Sequence, residues 1–264
     1  MPDIDKAKIR AAFERAAPSY DANAQFQHRI CERLAAKLPS LGLAISDQSC
    51  ILDAGCGTGY GAELLLRSWP QAKLTACDLS PAMVRMARER GLDATCADLE
   101  QMIFAPASVD FCWSSLALQW CRPVLVFPEM ARILAPGGKL AFSTLGPGTL
   151  HELEFAFSGV DNYRHVLSFS SASEIEAALA GAGFSGIRIE SEIWTTHHAD
   201  FKALFSSIRG IGAGQVGSDR RRTLMGKTAW RTAQARYETL RGQEGLPTSY
   251  TVYFGFAEKT AGGI

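Results

Sequence analysis

The chain lacks an excess of charge of either sign, with 27 lysines and arginines against 27 aspartates and glutamates. Surfaces built for general nucleic-acid binding carry a clear basic excess, so that class is excluded as a whole-molecule property and only local patches stay open. It also lacks a C-x-x-C pair: the seven cysteines, at 31, 50, 56, 77, 96, 112 and 121, are odd in number and scattered. That argues against a zinc or disulfide framework. Several sit in apolar runs (TACDLS, ATCADL, DFCWSS) where cysteine acts as a small hydrophobe, so buried, reduced thiols are expected. The N-terminal stretch MPDIDKAKIRAAFERAAP is mixed in charge and holds no long apolar run, which reads as neither signal peptide nor membrane span and predicts a cytoplasmic protein. His197 and His198 are adjacent rather than a helical turn apart, so no metal site is expected.

No repeat or low-complexity linker divides the 264 residues, which predicts one domain over 1–264. Residues 4–38 have helical periodicity, interrupted at Pro18. Strand patterns follow at 50–54, 73–78, 92–97, 109–114 and 138–145, with helices between them at 59–68, 81–90 and 123–134. In LSPAMVRMARERG, Ser80 suits the helix cap, Pro81 the first helical position and Gly91 the end. LAPGGKLAFSTL reads as a turn feeding a strand. The alternation implies an α/β fold with a doubly wound, mostly parallel sheet. Beyond it come a helix near 173–182, a strand near 186–194, helices near 199–208 and 227–241, and a last strand in SYTVYFGFAEK. The helices at 1–40 are expected to cap a core over 50–145, which the elements at 146–258 extend.

ILDAGCGTGYG, residues 51–61, places four glycines in seven positions after an apolar strand. A phosphate-binding loop needs G-x-x-x-x-G-K-S/T, and Ala62 stands where its lysine belongs. GTGYGA does satisfy the dinucleotide pattern G-x-G-x-x-G/A, and Asp78 lies where its ribose-binding acid belongs. Asp53 decides against that reading. A carboxylate ending the first strand would repel a pyrophosphate seated on the following helix N-terminus. It would favour S-adenosylmethionine, which presents an ammonium and a sulfonium there. Asp53, Asp78 and Asp98 end three successive strands, where ligands of such sheets gather. They suit the amino-acid tail, the ribose diol and the adenine amine in turn.

LDAGCGTG, DLSPAM, ADLE, FCWSSLALQW and LAPGGKLAFS occur in that order, and in this the chain resembles class I S-adenosylmethionine-dependent methyltransferases. The resemblance implies a seven-stranded sheet whose seventh strand, here SYTVYFGFAEK, runs antiparallel between the fifth and sixth. Carried onto the matching motifs, it implies a cofactor site of Asp53, Gly55, Cys56, Gly57, Gly59, Asp78, Leu79, Met83, Asp98, Leu99 and Ser114, with no metal. The segments FERAAPSYD, SSLALQWC, STLGPGTLHEL, IRGIGAG and PTSYTVYFG together resemble the malonyl-acyl-carrier-protein O-methyltransferases of biotin synthesis, over about residues 9–258, with local departures at Gly214 and Ser249.

That second resemblance implies methylation of the free carboxylate of a malonyl thioester on acyl carrier protein. Such a carboxylate is already ionised near neutral pH, so positioning groups rather than a general base are expected. Tyr20, in the helix break, is expected to bond either the methionine carboxylate or the acceptor. Gln119 and Trp120 are expected to line the acceptor channel, with Arg15, Arg164, His165 and Arg209 as candidate carboxylate anchors. The segment 220–241 is locally basic in a neutral chain and suits docking of an acidic carrier protein. The alternatives are a methyltransferase for another small acid or a quinone-ring carbon, an NAD-dependent oxidoreductase, and a non-catalytic donor-binding relative.

Overall fold

A computed structural model of the protein describes residues 5–41, 45–210 and 226–261. Its centre is one seven-stranded sheet of order β3-β2-β1-β4-β5-β7-β6. The strands are β1 (Cys50–Ala54), β2 (Lys73–Asp78), β3 (Asp93–Cys96), β4 (Val109–Ser115), β5 (Leu134–Leu145), β6 (Phe184–His198) and β7 (Leu246–Lys259). Pairing is parallel from β3 to β5, and β7 runs antiparallel to both β5 and β6, as the resemblance implied.

The helices are α1 (Lys6–Ala16), α2 (Tyr20–Asn23), α3 (Gln25–Lys37), α4 (Tyr60–Ser68), α5 (Pro81–Glu89), α6 (Pro123–Ile133), α7 (His151–Phe157), α8 (Ala172–Gly181), α9 (Phe201–Gly210) and α10 (Lys227–Glu238). Ser80 caps α5 by accepting the Met83 N–H at 3.4 Å, Pro81 occupies the first position, and Gly91 takes a φ of 83° past the end. The cap, the proline and the glycine thus do what their chemistry predicts.

Apolar side chains cover both faces of the sheet. On one, Ile30 and Leu34 of α3, Leu65 of α4 and Val84 of α5 pack with Phe111, Trp113 and Phe254. On the other, Phe127, Met130 and Ile133 of α6 and Leu179 of α8 pack with Cys112, Leu140 and Phe142. A third cluster joins α7, α9 and α10 through Phe157, Phe201, Tyr237 and Trp230. All seven cysteines are free, and five of them are buried. No helix among the described residues is long and apolar enough to cross a membrane.

Two local expectations change. The turn read in LAPGG lies inside β5, where the pairing with β4 jumps from Val109–Leu134 to Phe111–Lys139. The extra residues bulge there, with Gly137 at a φ of 77°. Helix α7 arises in the segment GTLHEL, which carries no strong start signal: Leu150 before it takes a left-handed φ of 59° and offers no side-chain cap.

Candidate active site

The glycine loop leaves β1 and turns sharply into α4. Gly55, Gly57 and Gly59 have φ values of 81°, 55° and 96°, a region that L side chains rarely enter. A Cβ on Gly55 would lie 2.3 Å from that of Ala117, and one on Gly59 would lie 2.4 Å from the Leu92 methyl Cδ1. The loop is therefore closed to side chains on geometric grounds, and its N–H groups are free to turn towards β2. There Asp78 accepts the Gly57 N–H at 3.0 Å and the Ser80 N–H at 2.8 Å. Burial raises the Asp78 pKa, and these two N–H donors oppose the rise.

The N-terminal helices lie across this loop. Asp21 accepts the Thr58 hydroxyl at 2.6 Å and also pairs with Arg90, which sets its neighbour Tyr20 against the glycines. Lys6 of α1 donates to Asp98 Oδ1 at 2.9 Å and lies 3.5 Å from Glu100. Two joined compartments result. The larger, about 70 Å³, is walled by Asp78, Leu79, Met83, Asp98, Leu99, Phe13 and Trp120, among others. The smaller, about 50 Å³, is walled by Gln27, His28, Cys31, Asp53, Cys56, Thr58 and Trp113, among others. Tyr20, Gly55, Gly57 and Ser115 wall both and form the neck between them.

Among the described residues four buried polar atoms have no hydrogen-bond partner, and all four belong to walls of the smaller compartment: Asp53 Oδ2, Gln27 Oε1, His28 Nε2 and Trp113 Nε1. Buried polar atoms are rarely left so, and a cluster of them marks a place where a ligand completes the bonding. The set is chemically sorted. Asp53 and Gln27 offer oxygens that accept, as an ammonium requires, whereas the indole N–H of Trp113 only donates, as a carboxylate requires. An α-amino-acid end fits this compartment. In the larger one, Asp78 suits a ribose diol, the side chains of Leu79, Met83 and Leu99 suit a flat apolar base, and Asp98 stands at its edge. Burial, and then the charge of Asp78, push the Asp53 pKa up to about 7, so a bound ammonium would relieve a strained charge. The residues present therefore fit S-adenosylmethionine.

Of the cofactor residues expected from sequence, Asp53, Gly55, Cys56, Gly57, Asp78, Leu79, Met83, Asp98 and Leu99 wall the compartments. Two do not. Ser114 is fully buried and donates to the Ala54 carbonyl at 2.7 Å, because alternation along β4 presents Ser115 to the cavity instead. Gly59 caps α4 and makes room for Leu92.

Of the acceptor residues, Tyr20 and Trp120 wall the larger compartment, Trp120 packed edge-on against Phe13 at 5.7 Å. Gln119 is turned elsewhere: its amide nitrogen donates to the Leu116 carbonyl at 2.5 Å and its oxygen accepts from Thr144 at 3.4 Å. Neither Arg15 nor Arg164 is a wall of either compartment. His165 stacks on Phe157 at 3.8 Å and bonds Asp161 at 2.9 Å, within the aromatic cluster. Arg209 lies in α9 with its side chain outside the described residues, as does Gly214 altogether. Ser249, the other departure, gives its backbone N–H to Glu152 at 3.1 Å. Lys6, Phe13, Gln27, His28, Trp113 and Ser115 also wall the compartments, without having been expected from the motifs. Gln27 and His28 open α3, across the break at Ala24 from Tyr20, so no helical spacing links them to it.

Comparison with known proteins bears on the same site. The family model described as "Methyltransferase domain" matches residues 52–142, from the first strand through most of the fifth. A malonyl-acyl-carrier-protein O-methyltransferase from Herminiimonas arsenicoxydans is 52% identical over 261 residues, 98% of this chain and 98% of that one. One of the same name from Dechloromonas aromatica is 43% identical, covering 96% and 95% of the two chains. The biotin biosynthesis bifunctional protein BioHC of Cellvibrio japonicus is 35% identical over 95% of this chain and 50% of its own. Among solved structures, the YcgJ protein of Bacillus subtilis superposes with a TM-score of 0.61 at 16% identity, over 88% of this chain and 100% of that one, a likeness of fold.

Proposed function

The chain belongs to the malonyl-acyl-carrier-protein O-methyltransferase family, which is S-adenosylmethionine-dependent, and we propose that it methylates the free carboxylate of malonyl-acyl carrier protein, giving the methyl ester that primes the pimeloyl chain of biotin. The single observation that carries this reading is the 52% identity along 98% of both chains. The site supports it: the walls offer bonding for a zwitterionic amino-acid end and a nucleoside.

When bound, S-adenosylmethionine supplies a methyl on a cationic sulfur, whose bonding pair returns to sulfur as a carboxylate oxygen takes the methyl. Asp53 and Gln27 hold the ammonium, Trp113 with His28 the carboxylate, and Asp78 the ribose. Tyr20 closes the neck from the N-terminal side. The acceptor arrives ionised, so these residues abstract no proton; they orient and exclude water. Ring-carbon methylation would require a base to remove a proton.

The carrier protein docks, in this reading, on the basic segment 220–241. Residues 220–225 lie outside the described residues. Within the rest, Lys227 and Arg231 of α10 are exposed, whereas Arg241 is paired with Glu238 and Arg236 donates to the Ser158 carbonyl. We place the reaction in the cytoplasm, which the seven free thiols support.

Purified enzyme with S-adenosylmethionine should convert malonyl-acyl carrier protein to its methyl ester, detectable by mass, faster than it converts free malonate. S-adenosylhomocysteine should raise its melting temperature by mass action and NADH should not. A shift with S-adenosylhomocysteine but no product from any malonyl thioester would replace the enzyme by a donor-binding relative. A shift with NADH would return the oxidoreductase reading.

A further inference from the structure

The neck between the compartments has two side chains, Tyr20 and Ser115; its other walls are Gly55 and Gly57. Ser115 ends β4 in register with Ser143 of β5, their hydroxyl oxygens 3.1 Å apart. Distance alone leaves the donor open, but burial decides it. Ser143 has no exposed surface, and its Oγ shares the Leu116 N–H, at 3.2 Å, with the Ser143 carbonyl at 3.0 Å. A buried hydroxyl proton needs an acceptor, and Ser115 Oγ is the one side-chain acceptor found for Ser143 among the described residues. Ser143 therefore donates to Ser115. The Ser115 proton cannot return along the same line and is left for the neck. Cys31 is a second hydrogen-bond partner of Ser115, but burial keeps its thiol protonated and a thiol sulfur accepts weakly, so a carboxylate in the neck takes the Ser115 proton in preference.

We propose that Ser115, aimed by Ser143, donates a hydrogen bond to the acceptor carboxylate at the neck and selects the oxygen that attacks. This rests on the carboxyl-methylating function above. Methyl transfer brings an anion and a cation together and leaves two neutral products. A full positive charge on the carboxylate would stabilise the ground state more than the transition state and slow the step. A neutral hydroxyl fixes direction while leaving the anion's charge largely intact. That accounts for a neck lined by hydroxyls, with Arg15 and Arg164 on neither compartment wall. Ser115 touches substrate; Ser143 is the residue that positions it.

The test uses Ser115→Ala, Ser143→Ala, the double variant and Ser115→Thr in the full chain, with malonyl-acyl carrier protein kinetics and S-adenosylhomocysteine calorimetry side by side. Ser115→Ala should lose roughly 10- to 100-fold in kcat/KM for the malonyl substrate, the worth of a hydrogen bond to a charged group, with S-adenosylhomocysteine binding within about twofold of wild type. Ser143→Ala should lose less, the double variant no more than Ser115→Ala alone, and Ser115→Thr should recover most of the activity. Unchanged kcat/KM in Ser115→Ala overturns the proposal, as does a fall in product affinity that accounts for the whole loss. Additive losses in the double variant overturn the part given to Ser143. Wild-type enzyme inactive on every malonyl thioester overturns the function itself, whereas active wild type with unimpaired Ser115→Ala overturns this inference alone.

Discussion

At the scale of single residues the decisive group is Asp53. Its carboxyl is 2% exposed, and burial followed by the charge of Asp78 lifts its pKa from 3.8 to about 7. A raised acid binds its proton more tightly folded than unfolded. Its contribution to stability is therefore full below pH 3.8 and is lost as the pH rises through about 7. Asp53→Asn removes that loss, so the donor-free variant should melt above wild type at pH 8, by on the order of a few degrees, and the two should converge near pH 4. Donor binding has the opposite sign, because the ionised form receives the ammonium. S-adenosylhomocysteine affinity should fall below pH 7, by up to about tenfold per pH unit, and the Asn variant should bind weakly without that slope. Of the other titratable groups around the site, burial lowers the His28 pKa from 6.5, keeps the thiols of Cys31 and Cys56 protonated and raises the pKa of Asp78, so the slope that belongs to Asp53 is the part the Asn variant loses. A flat affinity from pH 5 to 8 would remove Asp53 from the donor site.

The three strand-end acids were legible in sequence because each pairs a carboxylate with a turn at a place the topology dictates. Gln27, His28 and Trp113 were not, because their meaning comes from the fold: Trp113 lies beside Asp53 in the β1–β4 register, and α3 brings Gln27 and His28 to the same cavity, which no spacing rule encodes. The exchange of Ser114 for Ser115 shows the limit of motif transfer. Two adjacent serines in a strand look alike in a motif, and only the pleat decides which one faces the ligand.

Among the elements, β7 joins the third apolar cluster to the sheet, since it pairs with β5 and β6 while its Leu246 packs with α7, α9 and α10. Its insertion is tight. Gly255 lies in register opposite Phe142 of β5, and a Cβ there would stand 2.0 Å from the ring. The ring is fully buried between β5 and α6, where it tilts against Phe127 at 5.7 Å, so it has little freedom to retreat. Gly255→Ala should destabilise the protein by about 1–3 kcal/mol, the usual cost of overpacking. In denaturation experiments, adding Phe142→Leu should return part of this loss, since the pair shares one space. Purely additive losses would show that the contact is not the cause.

The strands and the helices α4, α5, α6 and α8 follow their apolar periodicity closely, and α5 and α8 start at serine caps. Departures occur where tertiary context overrides local preference. The LAPGG turn is taken up as a bulge in β5, and α7 forms because Leu153, Ala156 and Phe157 find Phe201 and Tyr237, not because its own sequence starts a helix.

For the whole molecule, charge is arranged rather than accumulated. Acids and bases balance at 27 each, yet the segment 219–241 holds seven bases and two acids. Its described bases divide into two groups. Arg236 and Arg241 are spent within the fold, on the Ser158 carbonyl and on Glu238, while Lys227 and Arg231 stand exposed on α10. An acidic carrier protein would be steered by such a patch through the rate of encounter more than through the affinity of the final complex. Neutralising Arg220, Arg221 and Arg222, together with Lys227 and Arg231, should therefore raise the Michaelis constant for malonyl-acyl carrier protein several-fold at low ionic strength, an effect that shrinks as screening shortens towards roughly 8 Å in physiological salt. The same variant should treat malonyl-coenzyme A as wild type does, or better, because that thioester uses the neck but not the docking face. Equal impairment on both thioesters would place the arginines in the chemistry or the fold, and an effect indifferent to salt would rule out steering.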